Sequence, residues 1–159
     1  FDDTEFASDD EDGLTIVRSG YASRTGGTPL EQDPAGGALP IAVSAGNDSK
    51  RSFMELAGTG TLLRLKESAD GAIRPETAVL KACIATSPWK ADRGQSFDAG
   101  PTFDPACSTG ARFDGVWSFD LSSFTAEALK KGLVLTAGPG TALTFEVRLE
   151  PTPLGEDGA

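Results

Sequence analysis

The side chains of this sequence with the most chemical capacity are its two thiols and its carboxylates. Cys83 and Cys107 bound the stretch KACIATSPWKADRGQSFDAGPTFDPAC, residues 81–107, and the chain has no histidine anywhere. That absence removes Ser-His and Cys-His nucleophile pairs, imidazole bases and every His-containing zinc site. Two thiolates alone make a poor metal site, and a reactive thiol needs a cationic or His-bearing setting. The chemistry left to Cys83 and Cys107 is oxidation to a structural disulfide, which implies an oxidising compartment. By chain entropy, closing a loop of this size stabilises by roughly 3 to 3.5 kcal/mol and pins the loop to its sheet. The alternative is a pair of buried, reduced cysteines acting as small hydrophobes.

Among the carboxylates, Asp98, Asp104, Asp114 and Asp120 could supply the acidic pair that glycoside hydrolysis requires. No GxSxG, GxxxxGK[ST] or strand-linked GxGxxG accompanies them, and a chain this short rarely builds the deep cleft such chemistry uses. The expectation is a non-enzymatic protein without a cofactor. Calcium is the one metal to consider, because SDDEDG resembles part of an EF-hand loop through Asp10, Asp12 and Gly13. Ser8 then falls on the first ligand position and Ser19 on that of the bidentate Glu, so the motif fails and the segment reads as a solvated acidic tail. Asn47-Asp48-Ser49 matches an N-glycosylation triplet and is read as turn chemistry. Within the cysteine loop, Trp89, Phe97 and Phe103 stand among Lys90, Asp92, Arg93, Gln95 and Asp98, the mixture of flat apolar faces and hydrogen-bonding groups that sugar-binding surfaces use. Trp89, Arg93, Phe97 and Phe103 are the candidate ligand-binding residues. The competing reading is that the aromatics plug the end of a sandwich.

The elements that must hold these residues are strands. GLTIVRSGYAS (13–23) has strand composition and precedes a Gly/Pro-rich loop, RTGGTPLEQDPAGG. LPIAVS alternates Leu39, Ile41 and Val43, and Pro40 marks it as an edge or starting strand. RSFMELA follows the AGNDSK turn. In TLLRLKE, Leu63 and Leu65 oppose Arg64 and Lys66; in TAVLKACIA, Leu80, Ala82 and Ile84 oppose Lys81 and Cys83, so the cysteine points away from the main apolar face. GVWSFDL turns Trp117, Phe119 and Leu121 inward. SSFTAEALKK reads as a short helix capped by Ser122 or Ser123 and stopped at Gly132, with Lys130 and Lys131 in its last turn. LVLT, an Ala-Gly-Pro-Gly turn and TALTFEVRLE read as a hairpin. Its second arm sets Leu143, Phe145, Val147 and Leu149 against Thr144, Glu146, Arg148 and Glu150. Many short strands, one short helix and no βαβ rhythm predict an all-β fold, an antiparallel β-sandwich of jelly-roll type.

At 159 residues, with 38% hydrophobic content, 19 glycines and 10 prolines, the chain fits one turn-rich domain. Residues 13–150 would form it, between an acidic N-terminal tail (1–12) and a C-terminal tail or linker (151–159). The net charge of −10 is concentrated in FDDTEFASDDED, which holds seven carboxylates and no base. The 14 basic residues are scattered, which argues against nucleic acid and anionic membranes as partners. No apolar run approaches the roughly 18 residues of a membrane span, and no basic-then-apolar leader is present. The start at Phe1 suggests a processed or excised chain.

From Leu39 onward the order of short elements resembles a secreted bacterial β-sandwich family, the DNRLRE-type modules related to carbohydrate-binding modules. LPIAVS leads to the arginine-plus-aromatic strand KRSFMEL. GTLLRLK, then AVLKACIATSPW running into a tryptophan, then VWSFDLSSF and the terminal KGLVLTAGPGTALTFEVRLEP follow in that family's order, over about 110 residues. SFDAGPTFDP stands where the family's tWnn.P stretch would be. The cysteine pair looks similar to variants in surface proteins of high-GC Gram-positive bacteria. The resemblance implies a non-catalytic extracellular module, secreted or at a cell surface, that binds polysaccharide or a surface protein. It also implies that Trp89, Trp117, Phe119 and Asp120 hold the fold. A second expectation comes from residues 13–23, which are strand-like but set apart by the long loop. That layout suits a structural or filament subunit that associates with copies of itself by strand addition.

Overall fold

The computed structural model describes residues 14–24, 37–44, 47–58, 60–68, 72–92, 94–138 and 144–154. The acidic leader with its EF-hand-like segment, most of the RTGGTPLEQDPAGG loop, Arg93, the second half of the Ala-Gly-Pro-Gly turn and Leu143 lie outside them. So does most of the C-terminal tail.

The protein is all-β and sandwich-like. Its strands are β1 (Leu14–Ser23), β2 (Leu39–Ser44), β3 (Asn47–Gly58), β4 (Leu62–Lys66), β5 (Leu80–Ile84), β6 (Gln95–Ser96), β7 (Ser108–Thr109), β8 (Ala111–Phe113), β9 (Val116–Asp120), β10 (Leu133–Ala137) and β11 (Phe145–Leu149). The large sheet runs β11-β2-β3-β10-β5-β7, with β1 on the other edge of β3 and β6 on β1; the small sheet is β4-β9-β8. All ladders are antiparallel except the two-residue pairing of β1 with β6.

The two sheets face each other across the main core. Period-2 alternation sends Leu63 and Leu65 of β4, Trp117 and Phe119 of β9, Leu80, Ala82 and Ile84 of β5, and Phe145, Val147 and Leu149 of β11 into that one cluster. The sheets also join at their sides. Gly110 is the corner at which the chain passes from β7 to β8, and a Cβ there would stand 2.6 Å from the Phe119 ring. On the other side, the end of β4 and the residues after it bond the edge of β11 and its continuation through Glu150 N to Lys66 O (2.8 Å) and Ser68 N to Arg148 O (2.7 Å).

Several local expectations need correction. Of the two readings of Pro40, the edge strand is wrong, since β2 lies between β11 and β3, while Pro40 does stand at the start of the strand, as its second residue. Pro40 is tolerated because its side of the strand faces the place where β3 leaves β2 for β10, and the Ser52 hydroxyl takes the Pro40 carbonyl at 2.7 Å. β10 and β11 do not form a hairpin. β10 sits between β3 and β5, and β11 pairs with β2, because alternation fixes a strand's faces and not its neighbour. The polar face of β11, which alternation sets opposite the apolar one, is itself buried at its centre. Glu146 and Arg148 are fully buried, with Lys50 Nζ donating to both Glu146 oxygens (3.0 and 2.9 Å) and Arg148 Nε donating to Oε2 (2.8 Å).

The helix spans Ala126–Lys131, and its cap is Thr125, whose Oγ1 accepts from Ala128 N at 3.1 Å. Ser122 and Ser123 are displaced from that role by a turn: Asp120 Oδ1 accepts from Ser122 N at 2.9 Å, and Phe124 N donates to Leu121 O at 3.0 Å. Gly132 ends the helix as expected, at φ 129.

Candidate functional site

Alternation that sends one set of residues into the core sends the other to the outer face of the large sheet. There Phe53 of β3, Val134 of β10, Ala22 of β1 and Ala85, just past β5, form a second apolar cluster. The loop from Thr86 to Cys107 lies over it. At its base Cys83 and Cys107 form the disulfide, Cys83 pointing away from the main core as its place in the alternation requires. Further ties are Thr86 N to Thr102 O (2.8 Å), Asp104 N to Ile84 O (2.9 Å) and Tyr21 N to Asp92 O (3.2 Å). Gly20 is what allows that last crossing, since a Cβ there would stand 2.7 Å from the Asp92 carbonyl.

The loop's aromatics divide by depth. Trp89 is only 7% exposed, meets Phe53 edge-on at 5.2 Å between centroids, and donates from Nε1 to the Lys131 carbonyl at 3.0 Å. Arg18 covers its remaining face, 4.0 Å from the ring centroid. Trp89 is therefore the plug of the second cluster and not part of an open platform. Phe97 and Phe103 are half-buried. They flank Arg51, whose guanidinium carbon is 4.7 Å from one ring centroid and 4.9 Å from the other. Arg24 lies 4.1 Å from Phe97, so cations already occupy much of that ring's π surface.

Between these rings opens a recess of about 360 Å³, lined by Arg51, Phe97, Asp98, Gly100, Pro101, Thr102 and Phe103. Its polar groups are held from below. Arg51 Nη2 donates to Asp48 Oδ2 at 2.8 Å and Nε to Thr136 Oγ1 at 2.9 Å, which fixes the guanidinium before any ligand arrives. Of the expected binding residues, the structure brings Phe97 and Phe103 together; Trp89 serves the packing, and Arg93 lies outside the described residues. Arg51 and Arg24 were not anticipated. The signal for Arg51 was its outward position in KRSFMEL, two residues before the buried Phe53. A second, more apolar recess of about 470 Å³ lies between the disulfide and the helix, lined by Ile84, Cys107, Phe124 and Ala128 with Asp104 and Lys131.

The carboxylates considered for catalysis sit in four separate segments of the chain. Asp104 Oδ1 accepts from Ala106 N at 2.8 Å. Asp114 has φ 54 in the β8–β9 turn, and Asp98 belongs to the short 3-10 turn Phe97–Ala99. Asp120 is held below the usual carboxylate range by hydrogen bonds from Ser122, first from its hydroxyl and then from its amide. A more heavily engaged carboxylate than any of these four is one the sequence did not single out. Glu67 accepts from Arg112 Nε (2.6 Å) and Nη2 (3.0 Å) and from Trp117 Nε1 (2.9 Å). Burial pushes its pKa up, but these bonds and the Arg112 charge outweigh burial and bring it below the usual 4.5. The same bond raises Arg112 above its ordinary value. Among the described residues no group of three or more His, Cys, Asp or Glu side chains could hold a metal ion. No helix among them is long and apolar enough to cross a membrane.

Compared with protein-family models the chain matches none, and compared with curated proteins it finds no match either.

Proposed function

We propose that this domain is a non-catalytic extracellular binding or adhesion module of a bacterial secreted or cell-surface protein, and that the outer face of its large sheet receives the ligand, a glycan. The observation that carries the reading is the recess flanked by Phe97 and Phe103 around an Arg51 already held by Asp48 and Thr136. Half-buried aromatics with a fixed donor and an acceptor such as Asp98 suit ligands that bring hydroxyls and C–H surface together. The disulfide supports an oxidising, extracellular setting.

The alternative, a subunit that lends a strand to its neighbour, was motivated by β1. That strand is paired along its length with β3 of its own chain, from Leu14 opposite Gly58 to Ser23 opposite Lys50. A bulge at Val17 interrupts the ladder, the kind of device that discourages addition of another strand.

The test is a polysaccharide screen with Phe97→Ala as its control. A ligand of this face should bind the variant about thirtyfold more weakly, the usual effect of removing an aromatic contact residue, while the melting temperature changes little. A screen in which nothing binds, or in which a bound glycan ignores Phe97→Ala, rejects the site.

A further inference from the structure

A row of hydrogen-bond donors crosses the outer face beside the recess. Lys81 of β5 is the direct partner of Thr136 of β10, so their side chains share a face with Cβ atoms about 5 Å apart. Arg51 of β3 reaches Thr136 from the other side, Nε to Oγ1 at 2.9 Å. Arg24, just past the end of β1, shares the Phe97 ring with Arg51, their guanidinium carbons 4.1 and 4.7 Å from its centroid.

Part of this donor capacity is already used. Arg51 gives Nη2 to the Asp48 carboxylate at 2.8 Å, and Arg24 gives Nε to the Asp48 carbonyl at 2.6 Å. Among the described residues, Arg51 Nη1, both Nη groups of Arg24 and the Lys81 ammonium have no partner. The acidic groups nearby are Asp48, engaged by Arg51, and Asp98 in the recess wall.

The pattern of remaining donors selects among anions. A planar carboxylate is held best by two parallel N–H groups of one guanidinium; the Nε–Nη2 fork of Arg51 is taken, and a carboxylate on the end-on Nη pair of Arg24 would leave Arg51 Nη1 and the Lys81 ammonium unused. What Arg51, Lys81 and Arg24 still offer is donors from three separate cations. A tetrahedral oxyanion, with an oxygen for each, answers that arrangement better, and an ammonium point charge is a good phosphate partner.

We propose that Arg51, Lys81 and Arg24 form a seat for a phosphate ester carried by an extended polymer, either the phosphodiester backbone of a polyol phosphate or a phosphorylated glycan. The proposal rests on the binding-module reading above and narrows its ligand.

The experiment uses the full, oxidised chain and follows backbone amide shifts and calorimetric titration. The probes are poly(glycerol phosphate), a phosphorylated mannan, a polyuronate and an uncharged glucan. A phosphate polymer should bind, move the resonances of β3, β5 and β10, and weaken as salt is raised. Which of the two phosphate polymers binds identifies the source of the ester. Lys81→Ala should weaken that binding roughly ten- to a hundredfold, the effect of losing a charged hydrogen bond, with an unchanged melting temperature because the ammonium has no internal partner. The phosphate assignment is overturned, and the binding face kept, if the glucan or the polyuronate binds this face as tightly as the phosphate polymers. It is overturned equally if Lys81→Ala binds a phosphate polymer like the parent chain. If none of the four moves these resonances, both readings fall.

Discussion

At the scale of single residues, the side chains that matter most are polar or aromatic groups with unusually complete surroundings. Trp89 combines burial, an edge contact with Phe53 and a hydrogen bond to Lys131. Trp89→Ala should therefore cost about 3–5 kcal/mol in chemical denaturation, the range for removing a large buried aromatic. A loss under 1 kcal/mol would mean that the indole is not packed as described. Glu67 gives a prediction about pH. Its folded pKa is lower than its unfolded value, so it contributes stability at pH above about 4.5 that is lost as pH falls through the depressed value. Stability measured between pH 6 and pH 2 should fall less steeply in Glu67→Gln than in the parent chain, and parallel curves would contradict this. Trp117 was legible in the sequence as an inward residue of its strand. Its bond to Glu67 was not, because those two residues are 50 positions apart.

At the scale of elements, the cysteine loop and the helix show how local chemistry and packing share control. The disulfide closes a separation of 24 residues, and chain entropy assigns that closure roughly 3 to 3.5 kcal/mol. The doubly substituted Cys83→Ser, Cys107→Ser chain should lose stability of that order. Its amides between Thr86 and Asp104 should exchange with solvent faster than those of β3 and β10. If exchange rises equally everywhere, the loop is not a separately fastened unit. The helix was legible from its terminal lysines and Gly132. Its first residue was not, because three candidate caps stand within four positions, and the turn made by Asp120 with Ser122 decides that Thr125 takes the role. The faces of β5 and β9 followed from alternation alone. For β11 the same alternation gave Phe145, Val147 and Leu149 as one face and left the cover of the other undecided, since residues distant in sequence bury Glu146 and Arg148.

At the scale of the whole molecule, β3 is the member on which the large sheet depends. It pairs with β1 along one edge and with β2 and then β10 along the other. Deleting the chain through Ser23 would leave the first of these edges open and unpair the backbone groups of residues 50–58. Such an edge is a template for association, so the shortened protein should aggregate or unfold in size-exclusion and denaturation measurements. A well-folded monomer of undiminished stability would show that β1 is dispensable, which would restore the expectation that it is lent to a neighbour.

What the sequence determined by itself was local and periodic: the all-β class, the inward residues of most strands, the outward cysteine and the end of the helix. These follow from the two-residue period of strands and from the backbone preferences of glycine and proline, which act over a few neighbours. Only the tertiary structure decided which strands are adjacent, that Trp89 is a plug, that Glu146 and Arg148 are buried together with Lys50, and that Arg51 stands between Phe97 and Phe103. Each of these depends on contacts between residues far apart in the chain. The free energy of such a contact depends on which surfaces meet, and no short stretch of sequence carries that information.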